Sequence, residues 1–170
     1  INMLKIKEKL FPKYVSRSTI TLFLINGFFK NILRVNAKAK VNLHFASRFV
    51  GAGGFIIVGD NPNLQLCLMS NPSIYINTAD KGISIDSSVY IASGVKLIGA
   101  NHDVNDLTIA AAPSDIIIIG RNCWLGANSV ILPAVQLGPK TIVSAGSIVT
   151  KSFSGNCIIA GNPAKIIRSL

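Results

Sequence analysis

At 170 residues with 49% hydrophobic side chains, the chain is long enough for one domain with a core of ordinary size and too short for two comfortable ones. Its net charge of +10 is lopsided: residues 1–48 hold ten Lys or Arg against Glu8 alone, and the rest holds seven bases against six Asp. Cys67, Cys123 and Cys157 are odd in number and lack metal-ligand spacing, and His44 and His102 are the only histidines. That composition excludes a disulfide framework and a three-histidine metal centre, and suits a reduced, cytoplasmic protein.

Residues 1–40 read as a basic helical segment. Lys5, Lys7, Lys9, Lys13 and Arg17 precede Leu22, Ile25, Phe29 and Ile32, whose steps of three and four mark one helix face, widened by Phe28 and Leu33. The apolar run 19–29 is about half the ~20 residues a membrane span needs, and it contains Asn26. Two readings stay open: a helix packed on the body of the protein with solvated lysines, or peripheral contact of residues 1–36 with anionic lipid. The basic tract lacks a helix-turn-helix, zinc or aromatic RNA-binding pattern, so nucleic acid is not the expected partner.

From there the spacing predicts short strands. Ile56 with Val58, and Ile74 with Ile76, read as coils of irregular register. A strict beat follows: Ile85, Ile91 and Leu97, then Ile119, Leu125, Ile131, Leu137, Val143 and Val149, an aliphatic at every sixth position. Six residues at about 100° each scatter around a helix, whereas an even step keeps side chains on one face of a strand. The positions two earlier in the later run are Ile117, Cys123, Ser129, Val135, Thr141 and Ser147, mostly small and facing the same way. Gly120, Gly126 and Gly138 fall at sharp corners, and Asn122 and Asn128 suit left-handed backbone. Stacked coils of this kind build an all-β solenoid over residues 41–153, followed by a short tail, 154–170.

Between Leu97 and Ile119 the beat fails, predicting an inserted loop at about 100–115 that opens on Asn101-His102-Asp103. A loop on a smooth wall is where a cleft forms, and histidine is the side chain suited to take a proton near neutral pH.

The block His102-Asp103, Ala111-Ala112-Pro113 and 119–128 (IGRNCWLGAN), with 144–151 (SAGSIVTK) and 160–168 (AGNPAKIIR), resembles the hexapeptide-repeat acyltransferases, above all sugar O-acetyltransferases of the galactoside, maltose, nodulation-factor and cell-surface polysaccharide type. The likeness is strong over residues 83–168. It implies a left-handed parallel β-helix and a homotrimer with active sites between subunits. It also implies His102 as general base for direct transfer from acetyl-CoA to a sugar hydroxyl, supported by Asn101 and Asp103. Trp124, Ala127, Ala145, Thr150, Lys151, Lys165 and Arg168 match the positions along which relatives hold acetyl-CoA, the basic ones near its phosphates. No metal is implied. Some relatives orient the histidine with a glutamate, but Glu8 is the only one here, leaving Asp103, Asp106 or a backbone carbonyl. Asn71 and Asn77 are candidates for the asparagine that assists the acceptor in some relatives.

An amino-sugar N-acetyltransferase or a xenobiotic acetyltransferase keeps the donor and changes the acceptor. A non-catalytic solenoid is the alternative outside enzymes, and it has no use for a histidine loop interrupting the repeat. Basic helix and transferase likeness together point to surface-glycan assembly at the inner face of the membrane.

Overall fold

A computed structural model describes residues 17–37, 39, 41–51, 54–78, 81–108 and 115–170. Three sheets, parallel between successive coils, form the walls of a triangular prism, each strand hydrogen-bonded to its counterpart in the next coil. The first wall stacks Arg48–Val50, Tyr75–Asn77, Lys96–Ile98, Val130–Ile131 and Ile148–Val149. The second stacks Phe55–Val58, Ile83–Asp86, Ile117–Ile119 and Gln136–Leu137, with Phe153 bridged to Leu137. On the third wall stand Tyr90–Ile91, Trp124–Leu125, Thr141–Val143 and Cys157–Gly161.

The six-residue beat becomes three inward columns. Ile85 pairs in register with Ile119 and Ile119 with Leu137; Ile91 with Leu125 and Leu125 with Val143; Leu97 with Ile131 and Ile131 with Val149. All of these are at most 1% exposed, as are the residues two before each of the later ones, from Ile117 to Ser147. Burying one large aliphatic is worth roughly 1.5–3 kcal/mol, so the columns dominate the cohesion of the coils. At the corners Asn122 and Asn128 take φ of 57° and 56°, as their spacing predicts. Gly126 is needed for a different reason: its φ is not positive, but a Cβ there would stand 2.6 Å from the Ala145 amide nitrogen of the next coil.

The first coil departs from the expected register. Ile56 and Val58 are 53% and 51% exposed, and Phe55 and Ile57 turn inward, with Ile57 opposite Ile85. All four residues of that strand are apolar, so no alternation exists to read, and a slip of one exchanges the faces. A helix then takes the place of a strand on the third wall. Helix α1 spans Arg17–Asn31, and helix α2, Asn63–Ser70, sends Leu64 and Leu68 into the core next to Tyr90–Ile91.

The face of α1 built from Leu22, Ile25, Phe29 and Ile32, for which packing on the body and contact with lipid were both open, docks only in part. Phe29 stacks on Phe45 with centroids 4.7 Å apart, while Ile25 is 37% and Ile32 66% exposed. The rotation of the helix is set by Asn26, which is buried: its Nδ2 donates to the Met69 carbonyl at 3.0 Å and its Oδ1 accepts the Phe45 amide at 2.9 Å. Leaving those backbone groups unpaired would cost about 1–3 kcal/mol each, which outweighs burying one more aliphatic edge.

Residues 154–170, read as a tail, carry two further strands. Cys157–Gly161 continues the third wall, the chain reverses at Gly161 and the cis Asn162–Pro163 bond, and Ala164–Ser169 returns antiparallel beside it.

Candidate active site

The interruption of the repeat is measurable from the register. Ile85 pairs with Ile119, 34 positions on, whereas Ile119 pairs with Leu137, 18 positions on, so sixteen residues are inserted without disturbing the coils on either side. The insertion leaves the first wall after Lys96–Ile98 and returns on the second at Ile117–Ile119, so it projects from the edge between those walls. Of the motif residues in it, Ala111, Ala112 and Pro113 lie outside the described residues.

Asn101 and His102 are exposed, and among the described residues no hydrogen bond holds the His102 ring. Both carboxylates considered for orienting it are engaged elsewhere. Asp103 Oδ1 accepts the Asn105 amide at 2.7 Å and the Asp106 amide at 3.4 Å, an Asx-type turn. Asp106 Oδ1 accepts the Thr108 hydroxyl at 2.6 Å and its amide at 2.9 Å, and these bonds hold its carboxyl below the usual range. The loop is therefore shaped by its own acids, and its imidazole is left presented to solvent.

The residues matched to the donor divide between two sides of the prism. Thr150 and Lys151 stand on the same edge as His102, two coils on, with the Lys151 ammonium 5.9 Å from the centroid of Phe153. Trp124 is 53% exposed on the third wall, in register between Tyr90 and Ile142, and that wall lies opposite the His102 edge. Ala127 and Ala145 follow at the corner leaving that wall, stacked through a 2.8 Å bond from the Gly146 amide to the Ala127 carbonyl. Lys165 and Arg168 pair with Ala160 and Ile158 on the added strand at the end of the same sheet, and both are exposed. A single chain therefore does not bring His102 and Trp124 together.

The residue pattern gave no sign of one feature. Ile118, Gly120, Gln136, Pro139, Ser152 and Phe153 line a groove of about 470 Å³ on the second wall, where the inserted loop rejoins the coils. Asn71 is committed to the scaffold, its Nδ2 donating to the Ile91 carbonyl at 2.8 Å and its Oδ1 accepting from Ser93. Asn77 pairs in register with Ile98, and its carbonyl accepts the Gly99 amide at 2.8 Å, just before the loop begins.

Cys123 and Cys157 are buried and Cys67 is half-buried; burial pushes the Cys67 and Cys123 thiols up, away from the thiolate a nucleophile requires. Among the described residues no three His, Cys, Asp or Glu side chains gather to hold a metal ion, and no helix is long and apolar enough to cross a membrane.

Residues 116–151 match the family described as the hexapeptide repeat of succinyl-transferase. The maltose O-acetyltransferase of Clostridium difficile 630 superposes with a TM-score of 0.51 at 20% identity, over 91% of this chain and 89% of that one. AntD, an N-acyltransferase from Bacillus cereus in complex with dTDP and 3-hydroxybutyryl-CoA, gives 0.59 at 18% identity, over 76% and 69%. The fold is thus the left-handed parallel β-helix, and residues 116–151 carry the repeat of the hexapeptide acyltransferases. The chain is similar to the galactoside O-acetyltransferase of Escherichia coli (strain K12), 37% identical over 93 residues that cover 54% of this chain and 46% of that protein. The chain spans about half the length of the curated relatives it matches.

Proposed function

We propose that the chain is an acetyl-CoA-dependent O-acetyltransferase acting on a sugar hydroxyl, working as a homotrimer with His102 as general base. The imidazole accepts the proton of the acceptor hydroxyl as its oxygen attacks the thioester carbonyl. The tetrahedral intermediate then collapses, and the coenzyme A thiolate leaves and recovers that proton from the imidazolium. General-base assistance of this kind is worth about 10²–10⁴ in rate, and holding both substrates side by side supplies much of the remainder.

The observation that carries this reading is the division of the matched residues between opposite sides of one prism. His102, Thr150 and Lys151 share an edge, and Trp124, Ala127, Ala145, Lys165 and Arg168 share the facing wall and its corner. A site that uses both sets is completed by a neighbouring copy, which is the arrangement the trimer supplies. Lys151, Lys165 and Arg168 then face the phosphates of the donor, where opposite charge favours binding. Asn101 shapes the entry of the loop, Asp103 holds its turn, and Asn77 lies beneath it on the acceptor side.

The buried, unpaired thiols fit a reducing cytoplasm, and the basic residues 1–36 fit work at the inner face of a membrane, with a surface-glycan precursor as acceptor.

The test is complementation in mixed trimers. His102→Ala and Trp124→Ala chains, each impaired alone toward radiolabelled acetyl-CoA and a panel of sugars, regain part of the wild-type rate when co-assembled, because some interfaces then carry both intact halves. No recovery in verified mixed trimers overturns the shared site, and no transfer to any sugar hydroxyl by the wild-type chain overturns the activity.

A further inference from the structure

We propose that the outward face of α1 is a docking surface for an anionic lipid bilayer, which the helix meets lying flat. This names the surface and the lipid chemistry for the membrane contact read above, and rests on that reading rather than on acetyl transfer.

The helix is held to the body of the protein by an unusual choice of side chain. Asn26 is the position buried against the Met69 carbonyl and the Phe45 amide, Phe29 stacks on Phe45 beside it, and several other large apolar residues of the same helix are left out. Leu24 and Phe28 point away from Asn26 on the helical wheel and are 60% and 51% exposed, with Ile25 and Ile32 beside them on that side also open to solvent. Four such side chains contiguous on one side of the helix are a patch that calls for a partner.

Charge selects the partner. The first 59 residues hold ten Lys or Arg and one acid, Glu8, so that part of the sequence is strongly cationic. Arg34 and Arg48 are exposed near its far end, whereas Lys30 is engaged with the Val41 carbonyl at 3.0 Å. Lys5, Lys7, Lys9 and Lys13 lie outside the described residues and directly precede the helix in the chain. Apolar side chains bordered by unbalanced cations match a bilayer with anionic headgroups, which takes both at once. A second copy of the chain is a poorer match, because the coils beyond residue 48 carry seven bases against six Asp and offer no acidic surface in excess.

The experiment is flotation of the full chain with phosphatidylglycerol-containing vesicles and with phosphatidylcholine vesicles, alongside mass by analytical ultracentrifugation. The expected result is capture by the anionic vesicles only. Capture falls about tenfold in Leu24→Ser/Phe28→Ser and in Lys5→Glu/Lys9→Glu/Lys13→Glu, with mass and circular dichroism unchanged. Equal capture by both lipids, capture by neither, or full capture of the Leu24→Ser/Phe28→Ser chain overturns the proposal. A changed mass in that variant also overturns it, by showing that a second copy covers the face. Flotation involves no turnover, so a failure of the acetyl-transfer reading leaves its outcome intact.

Discussion

Asp103 accepts the backbone amide of Asn105 at 2.7 Å, so the carboxylate next to His102 in the chain closes its own turn instead of steering the imidazole. Asn offers the same acceptor oxygen and Ala offers none. Asp103→Asn is therefore expected to keep kcat/KM within a few-fold of wild type, and Asp103→Ala to lower it about tenfold, the size of one neutral-to-charged hydrogen bond lost from the loop. Steady-state kinetics at saturating acetyl donor checks this; equal damage from both substitutions would show that the charge itself steers the ring.

His102→Ala is expected to lower kcat by about 10²–10⁴ with little change in KM for the donor. The ring is exposed and makes no hydrogen bond among the described residues, so the melting temperature should stay at the wild-type value. Turnover of the variant at the wild-type rate would remove this residue from the mechanism.

Gly126→Ala tests the stacking of the coils. A Cβ there stands 2.6 Å from both the Ala145 nitrogen and the Val143 carbonyl oxygen, backbone atoms that cannot move without opening the ladder. The expected cost is about 1–3 kcal/mol, the usual range for overpacking, read as a lower denaturant midpoint. Gly146→Ala has open space around its Cβ but a φ of +69°, so its penalty comes from backbone strain alone and should be about 1–2 kcal/mol.

Acid should weaken the end of the prism near α1. His44 is buried, stacked on Phe45, and its Nδ1 accepts the Ala46 amide at 3.1 Å; burial pushes its pKa below the ordinary 6.5. The unfolded chain therefore takes up the proton first as pH drops. The contribution of the neutral ring is complete above about pH 6.5 and is lost as pH falls from there toward the lower native value. Urea midpoints measured across that window should decline in the wild type, with a shallower decline in His44→Gln.

The coils from 83 onward were legible because a parallel stack imposes one spacing on every turn, and the buried columns from Ile85 to Val149 follow it without exception. Legibility failed where that constraint relaxes. The strand Phe55–Val58 is apolar on both faces, with Ile56 and Val58 open to solvent, so its side chains carry no alternation to read. The rotation of α1 was hidden because two backbone hydrogen bonds to Asn26, formed by groups 19 and 43 positions away, decide it against the apolar pattern of the helix itself. At the site, His102 could be singled out from the break in the beat. The engagement of Asp103 and Asp106 depends on how a short loop folds on itself, and the separation of His102 from Trp124 depends on which wall each strand joins; neither is a property of spacing.

The inserted sixteen residues sit between two registers that match as though nothing intervened, Ile85 with Ile119 and Ile91 with Leu125. A scaffold with that property separates two evolutionary tasks. The rungs can be preserved for stability while the loop is shortened, extended or replaced wholesale, with no renegotiation in the core. Grafting the corresponding loop from a relative becomes a one-segment exchange with its anchoring residues, Ile98 and Ile117, already defined.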